Sequence, residues 1–270
     1  MMQATLKSRI RGSVLAQALG DALGAPFEFA PADAVERRTG KKWLAGLYPF
    51  EGEKGPHGVW VDIAPMGTGT DDVRYNYLFM ELSIELRRMP VGRELAQRLL
   101  DVYERPGDFF PNYEELVRGQ FEMWEGASRG FLGEESPRYP GVPSAVLATR
   151  SVGLNYPTMA GLLALPSVGL LFPADPEAAY RAAYEAAFFD IGYAREATAL
   201  LAAAQSAALA GKAPDVVVYE TLAMDPLHLR GYFGGPFIGE KLPLLLKQAA
   251  GKKSEELADF LSSALRHFSV

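Results

Sequence analysis

Two adjacent carboxylates stand where a loop of small residues gives way to a helical pattern. The segment "GTGTDD" ends in Thr70, Asp71 and Asp72, and apolar and aromatic residues at helical spacing follow it. Threonine is a favoured N-cap, and acids in a first helical turn interact favourably with the macrodipole by roughly 0.3–1 kcal/mol each. The same three residues could form half of a hard-cation site, because Mg²⁺ prefers oxygen ligands. The pattern by itself leaves both interpretations open.

A second acidic position occurs earlier, in "GDALGAPFEF". Glu28 follows Pro26 and is flanked by Phe27 and Phe29. It is either a solvated edge residue or a carboxyl group in an apolar surround. In the second case desolvation would raise its pKa and suit it to general acid–base catalysis.

Helices must position these acids. In the first helix, over residues 5–23, apolar residues recur in steps of three and four and predict one buried face: Leu6, Ile10, Val14, Leu15, Ala18 and Leu19. A stripe of small residues on the same helix would let another helix or a ligand approach the backbone: Gly12, Ala16, Gly20 and Gly24. Pro26 ends this helix.

The rest of the chain is also helical in pattern. Helices are expected at 71–89, 92–104 and 112–126, from Met159 onward, and near 214–224, 238–250 and 254–267. Gly- and Pro-rich stretches at about 30–66 and 127–158 predict long ordered loops. Strands do not alternate with helices, so we expect an all-α fold and a single domain over residues 1–270.

Composition narrows the function classes. The 270 residues are 49% hydrophobic and 22% charged, with a net charge of −6, and the basic residues form no block that would favour nucleic acid or a membrane surface as a partner. No window approaches the roughly 20 apolar residues of a membrane span. The absence of cysteine removes disulfides, thiolate metal sites and cysteine nucleophiles and is compatible with a reducing compartment, so we expect a cytoplasmic protein.

Several common catalytic motifs are missing from the sequence. It contains no dinucleotide-binding G-x-G-x-x-G after a strand, no P-loop and no G-x-S-x-G elbow. His57, His228 and His267 are isolated, and we expect each on the surface or in a loop.

The order "GSVLAQALGDALGAPFEF" then "GTGTDD" resembles the opening of the ADP-ribosylglycohydrolase family. The segment "AGLLALPSVGLLFPADPEAAYRAAYEAAFF", continued by an Ala-rich helix, is also similar to that family. The resemblance covers about residues 8–211 and leaves 212–270 as a divergent helical tail. It implies a compact orthogonal multi-helix bundle and a magnesium-dependent enzyme that releases ADP-ribose from modified proteins or small conjugates.

The resemblance also assigns residues. Thr70, Asp71 and Asp72 are similar to the first metal-ligand group, with Mg²⁺ as the expected ion and Mn²⁺ as the alternative. Glu28, together with Asp72, is expected to act in catalysis beside the scissile ribosyl bond. Mg²⁺ would orient the ribose hydroxyls while a carboxylate activates water at the anomeric carbon. Asp21 fits better as a hydrogen-bonding partner of the loop than as a ligand.

The sequence departs from the family pattern in its second half. The late Asp-x-Asp-Thr that completes the metal site is missing, and the acids found downstream are single: Asp175, Asp190, Asp215, Asp225 and Asp259. Where many relatives have a histidine and a small polar turn, Phe188 and Phe189 make an apolar wall. Either the chain is a fragment or truncated product, which we favour, or Asp190, with Glu196, substitutes as a metal ligand. Uncovered apolar faces would then favour self-association or a partner.

Three hypotheses follow. The first is Mg²⁺-dependent hydrolysis of an N- or O-ribosyl bond in an ADP-ribosyl conjugate. The second is a catalytically silent relative that binds an ADP-ribose-like ligand or a protein partner. The third is a magnesium-dependent phosphohydrolase built on the same aspartate pair.

Overall fold

A computed structural model describes residues 5–28, 30, 33–50, 65–230, 236–253, 256–257, 259–261 and 263. Every regular element within these ranges is helical, which confirms the all-α prediction. His57, Trp60 and His267 lie outside the described residues.

The α-helices in chain order are α1 (Leu6–Gly24), α2 (Ala34–Thr39), α3 (Asp71–Leu86), α4 (Gly92–Glu104), α5 (Pro106–Phe109), α6 (Glu114–Leu132), α7 (Ser144–Leu147), α8 (Ala160–Ala164), α9 (Pro176–Ala186), α10 (Tyr193–Leu209), α11 (Pro214–Ala223) and α12 (Leu242–Ala249). Short 3₁₀ turns occupy Ala25–Phe27 and Val168–Leu171, and a π-helical turn occupies Pro236–Lys241. None of the described helices is both long enough and apolar enough to cross a membrane.

The chain divides into two compact units. The large unit takes Met1–Val14 and Asp71–Leu229, and the small unit takes Leu15–Thr70 and Arg230–Val270. The prediction of a single domain stays a prediction beside this division.

The core of the large unit is built around paired helices and one aromatic cluster. Helix α9 packs on α10, α4 on α6, and α3 on α8. The Trp124 ring lies 4.7 Å from the Tyr75 ring of α3 and 4.6 Å from the Phe189 ring, measured between centroids. Phe188 and Phe189 are both buried, so the apolar wall predicted for them is part of this core. The N-terminal part of α3 is therefore packed through Tyr75 against this aromatic cluster.

Helix α6 is longer than its sequence indicates. The prediction ended the helix at residue 126 and assigned the following glycines to a loop, but α6 continues to Leu132. A Cβ atom on Gly126 would lie 2.6 Å from the Tyr139 ring, and one on Gly130 would lie 2.4 Å from the backbone nitrogen of Ala148. These glycines allow close packing inside a helix, which local composition cannot distinguish from a loop.

Helix α1 differs from its prediction in the opposite way. Leu6, Leu15 and Leu19 are exposed, and Ala22 is the buried residue of the helix. Apart from the neighbouring residues and backbone of α1 itself, no described atom lies within 4 Å of the Cβ positions of Gly12 or Gly20. The predicted buried face is therefore wrong for these leucines, because helical spacing shows which residues share a face but not whether a neighbour covers it.

The segment after Met159 is also less regular than predicted. Helix α8 ends at Ala164, Pro166 follows, and the chain resumes as the 3₁₀ turn Val168–Leu171. Proline lacks the backbone N–H that a continuing helix needs, which explains the interruption. The predicted loop at about 30–66 contains α2, and residues 51–64 of it lie outside the described part.

Candidate active site

Asp21 holds the residue that precedes the acidic pair. One carboxylate oxygen of Asp21 accepts a hydrogen bond from the Thr70 backbone N–H at 2.6 Å, and the other accepts one from Thr70 Oγ1 at 2.7 Å. Thr70 is buried, and this carboxylate accepts from both of its donors. The structure confirms the sequence prediction that Asp21 is a hydrogen-bonding partner of the loop.

The loop that leads to Thr70 is a tight turn. The Thr68 backbone N–H donates to the Pro65 carbonyl at 3.0 Å, and Thr68 Oγ1 donates to the same oxygen at 2.7 Å. Gly67 has φ of 87°, the left-handed conformation that favours glycine in the third position of such a turn. The small residues of "GTGTDD" therefore serve the geometry of the turn.

Asp71 and Asp72 are the first two residues of α3, as predicted, and both are partly exposed. One turn further on, Tyr75 is buried against Trp124. Burial raises the pKa of Tyr75 above its ordinary value, and the nearby Asp71 carboxylate raises it further. The buried phenol therefore stays protonated to a higher pH than an exposed tyrosine does.

Glu28 lies directly after the 3₁₀ turn Ala25–Phe27. Its backbone N–H donates to the Ala25 carbonyl at 3.3 Å, and its side chain is exposed. Of the two environments that the sequence left open, the solvated one is observed. Of the two flanking phenylalanines, Phe29 lies outside the described residues, and Phe27 has a different partner.

That partner is Arg38 of α2, a residue that the sequence analysis missed. The Arg38 guanidinium lies over the Phe27 ring, 4.3 Å from its centroid. It also donates to the Pro26 carbonyl at 2.7 Å and to the Pro49 carbonyl at 2.8 Å. The Phe27 ring in turn meets the Tyr48 ring edge-on at 5.6 Å. Arg38 is 12 residues from Pro26 and 11 from Pro49, so no short-range sequence pattern identifies these contacts.

Asp190 is buried, and its carboxylate is occupied by the backbone segment that opens α8. One oxygen accepts from Thr158 Oγ1 at 2.9 Å and the other from the Gly161 backbone N–H at 2.8 Å. Burial raises the pKa of Asp190, while these bonds and those from the Thr158 and Met159 backbone oppose the rise. These bonds give the Asp190 carboxylate a structural role at the start of α8, and its assignment as a metal ligand stays a prediction.

The other downstream acids have local structural roles or lie at the surface. Asp175 caps α9 by accepting from the Ala178 N–H at 3.1 Å, and Asp225 accepts from the Leu229 N–H at 2.8 Å. Asp259 forms an ion pair with Lys42 at 3.5 Å. Asp215 is exposed in the first turn of α11, and Glu196 is buried in the first turn of α10. Within the part of the chain that the structure describes, no group of three or more His, Cys, Asp or Glu side chains is arranged to hold a metal ion.

One histidine can be located. His228 is exposed and adopts a left-handed backbone conformation with φ of 54°, in agreement with the loop position expected for it.

The fold and the acidic helix start define an all-α protein with a carboxylate-bearing candidate site. The ADP-ribosylglycohydrolase family model matches residues 2–266, so the chain belongs to that family, and a glycohydrolase-like hydrolase function is supported. The match extends beyond residues 8–211, for which the sequence alone suggested a resemblance, and includes most of the tail that looked divergent. No curated protein and no solved structure matches the chain.

Proposed function

We propose that this protein hydrolyses an N- or O-ribosyl bond in an ADP-ribosyl conjugate, either a modified protein or a small molecule, with Mg²⁺ as its cofactor. The observation that carries the proposal is the pair of hydrogen bonds from Thr70 to Asp21, which holds the acidic start of α3 in a family member. We also propose that the protein works in a reducing, cytoplasmic compartment.

The donors at the start of α3 fit a magnesium ion. Asp71 and Asp72 supply partly exposed carboxylates, and Thr70, the residue before them, supplies a hydroxyl oxygen whose proton is donated to Asp21. Mg²⁺ is commonly bound through one or two carboxylates and keeps several waters or substrate oxygens. These three residues would hold the ion, with Mn²⁺ as the alternative, and the bound ion would orient the ribose hydroxyls and offset developing charge.

Glu28 is assigned the role of general base from its place in the family pattern, with Asp72 as the second catalytic carboxylate. An exposed carboxylate can accept a proton from a water molecule. The water oxygen would attack the anomeric carbon as its proton passes to Glu28. The bond from that carbon to the leaving nitrogen or oxygen would break, and the leaving atom would take up a proton, so that ADP-ribose and the unmodified acceptor are released.

Release of ADP-ribose from a modified protein in the presence of Mg²⁺ tests this proposal. We expect Asp71→Asn and Asp72→Asn to lower the rate at least about a hundredfold, because each removes a charged oxygen ligand. Asp175→Asn is the matched control, since this aspartate caps α9. Equal rates for the unmutated protein and the Asp71 and Asp72 variants would disprove the assignment of those acids.

A second candidate is a silent relative that binds an ADP-ribose-like ligand or a protein partner. It is favoured by the local bonding of Asp190, Asp175 and Asp225, because each of these carboxylates accepts a bond from a nearby backbone N–H. Calorimetry with ADP-ribose separates the two candidates, because the silent relative predicts binding without turnover.

A further inference from the structure

The backbone at Glu28 limits where its exposed carboxylate can reach, because a side chain projects from its Cα in a few staggered rotamers. That backbone is the end of the 3₁₀ turn, and Glu28 is linked to the turn through its N–H bond to the Ala25 carbonyl.

Arg38 contacts this turn at both residues that precede Glu28. The Arg38 guanidinium donates a hydrogen bond to the Pro26 carbonyl and lies over the Phe27 ring. A second arm of the same group donates to the Pro49 carbonyl. One side chain thus joins the turn, α2 and the segment at 44–50 within the small unit.

Only arginine has the chemistry for these contacts. Its planar guanidinium presents several donors in a fixed fork and can stack on an aromatic face at the same time, whereas lysine offers a compact charge on a flexible stem. The neighbouring Arg37 makes a different contact, an exposed ion pair with Asp33 at 2.8 Å on the same helix. The two adjacent arginines therefore differ in role although they share type, helix and charge.

We propose that Arg38 is a positioning residue for catalysis and acts through Glu28. The inference rests on the proposed function for the role of Glu28, but the clamp itself is independent of the substrate. When the clamp is removed, the turn samples other conformations and the carboxylate occupies its working position for less of the time. The rate of the chemical step then falls, while substrate affinity is unchanged.

The first experiment compares ADP-ribose release by Arg38→Ala, Arg38→Lys and the control Arg37→Ala, with Mg²⁺ and a modified protein substrate. We expect Arg38→Ala to lower kcat about tenfold or more with KM changed less than about twofold. Arg38→Lys should recover part of the loss, since it keeps the cation but not the fork. Arg37→Ala should match the unmutated protein. A normal kcat for Arg38→Ala overturns the inference.

The second experiment is a double-mutant cycle with Glu28→Gln, measured over long incubations. If Arg38 acts through Glu28, Arg38→Ala causes little further loss, less than about twofold, once the carboxylate is gone. An equal loss in both backgrounds would mean that the arginine supports the fold in general, and it would overturn the inference. Full activity of Glu28→Gln would instead count against the catalytic role of Glu28 in the proposed function.

Hydrogen exchange tests the clamp even if no hydrolysis is detected. The Glu28 amide should exchange at least about tenfold faster in Arg38→Ala, because its bond to Ala25 depends on the turn, and should be unchanged in Arg37→Ala. Unchanged exchange in Arg38→Ala overturns the inference whatever the activity.

Discussion

The pair of bonds between Asp21 and Thr70 yields a quantitative prediction. In Asp21→Ala both Thr70 donors lose their acceptor in a buried position. A buried donor left unsatisfied costs about 1–3 kcal/mol, so removing both acceptors should lower the free energy of unfolding by roughly 2–5 kcal/mol. The loss should also release the start of α3 and weaken Mg²⁺ binding by Asp71 and Asp72.

Asp21→Asn should be milder. The amide oxygen can still accept from the Thr70 N–H, and the amide nitrogen can donate to Thr70 Oγ1, so the side chain keeps two bonds but loses the charge. Bonds to charged groups contribute about 1.5–3 kcal/mol and neutral bonds about 0.5–1.5 kcal/mol, so we expect a loss of roughly 1–2 kcal/mol. Thr70→Val, which removes only the hydroxyl donor, should lose a similar amount.

The matched control is Thr70→Ser, which retains both donors and loses one methyl group, worth about 0.8 kcal/mol or less. Urea unfolding gives the free energies, and calorimetric titration with Mg²⁺ gives the binding. The expected order of destabilisation is Asp21→Ala, then Asp21→Asn with Thr70→Val, then Thr70→Ser. If Asp21→Ala and Thr70→Ser are equally stable within about 0.5 kcal/mol, the argument for this clamp is wrong.

Two further predictions concern stability away from the site. Gly130→Ala should lower the free energy of unfolding by about 1–3 kcal/mol or more, because the new Cβ would overlap the backbone at the end of α7. The control Gly119→Ala, at an exposed position of the same helix with open space around it, should raise that free energy by up to about 1 kcal/mol. Similar unfolding midpoints for the two variants would contradict the packing argument. Arg88 lowers the pKa of Glu94 from 4.5 to about 2, helped by a backbone N–H, so the carboxylate stabilises the fold above the unfolded-state pKa and ceases to do so as the pH falls toward the folded-state pKa. The difference in melting temperature between the unmutated protein and Glu94→Gln should therefore shrink between about pH 6 and pH 3, and a constant difference would show that this charge has no such role.

Several helices could be predicted from the local sequence. Helix α4 has the predicted bounds, α3 begins at the predicted aspartate, and α11 begins at the predicted residue 214. The bond between Asp21 and the loop was also expected from the family resemblance. These features depend on residues close in sequence, through caps, helical spacing and turn glycines, or on a motif order that the family preserves.

Other features depended on contacts that no local pattern contains. Glycine has the same composition signal in a loop as in a tightly packed helix, so the continuation of α6 through Gly130 required the structure. A lone aspartate can cap a segment or bind a cation, and only the position of the Gly161 N–H identified Asp190 as an anchor for α8. The contacts of Arg38 with the turn before Glu28 form only when α2 packs beside that turn.

The sequence of this protein by itself determined its helical class, its family resemblance and the acidic residues at the start of α3, because those depend on residue type and short spacing. The tertiary structure decided which small residues are packed, which leucines of α1 are exposed, and which acids are already bonded. The physical reason is that hydrogen bonds and close packing join residues far apart in the chain, and their partners are determined only when the helices are assembled.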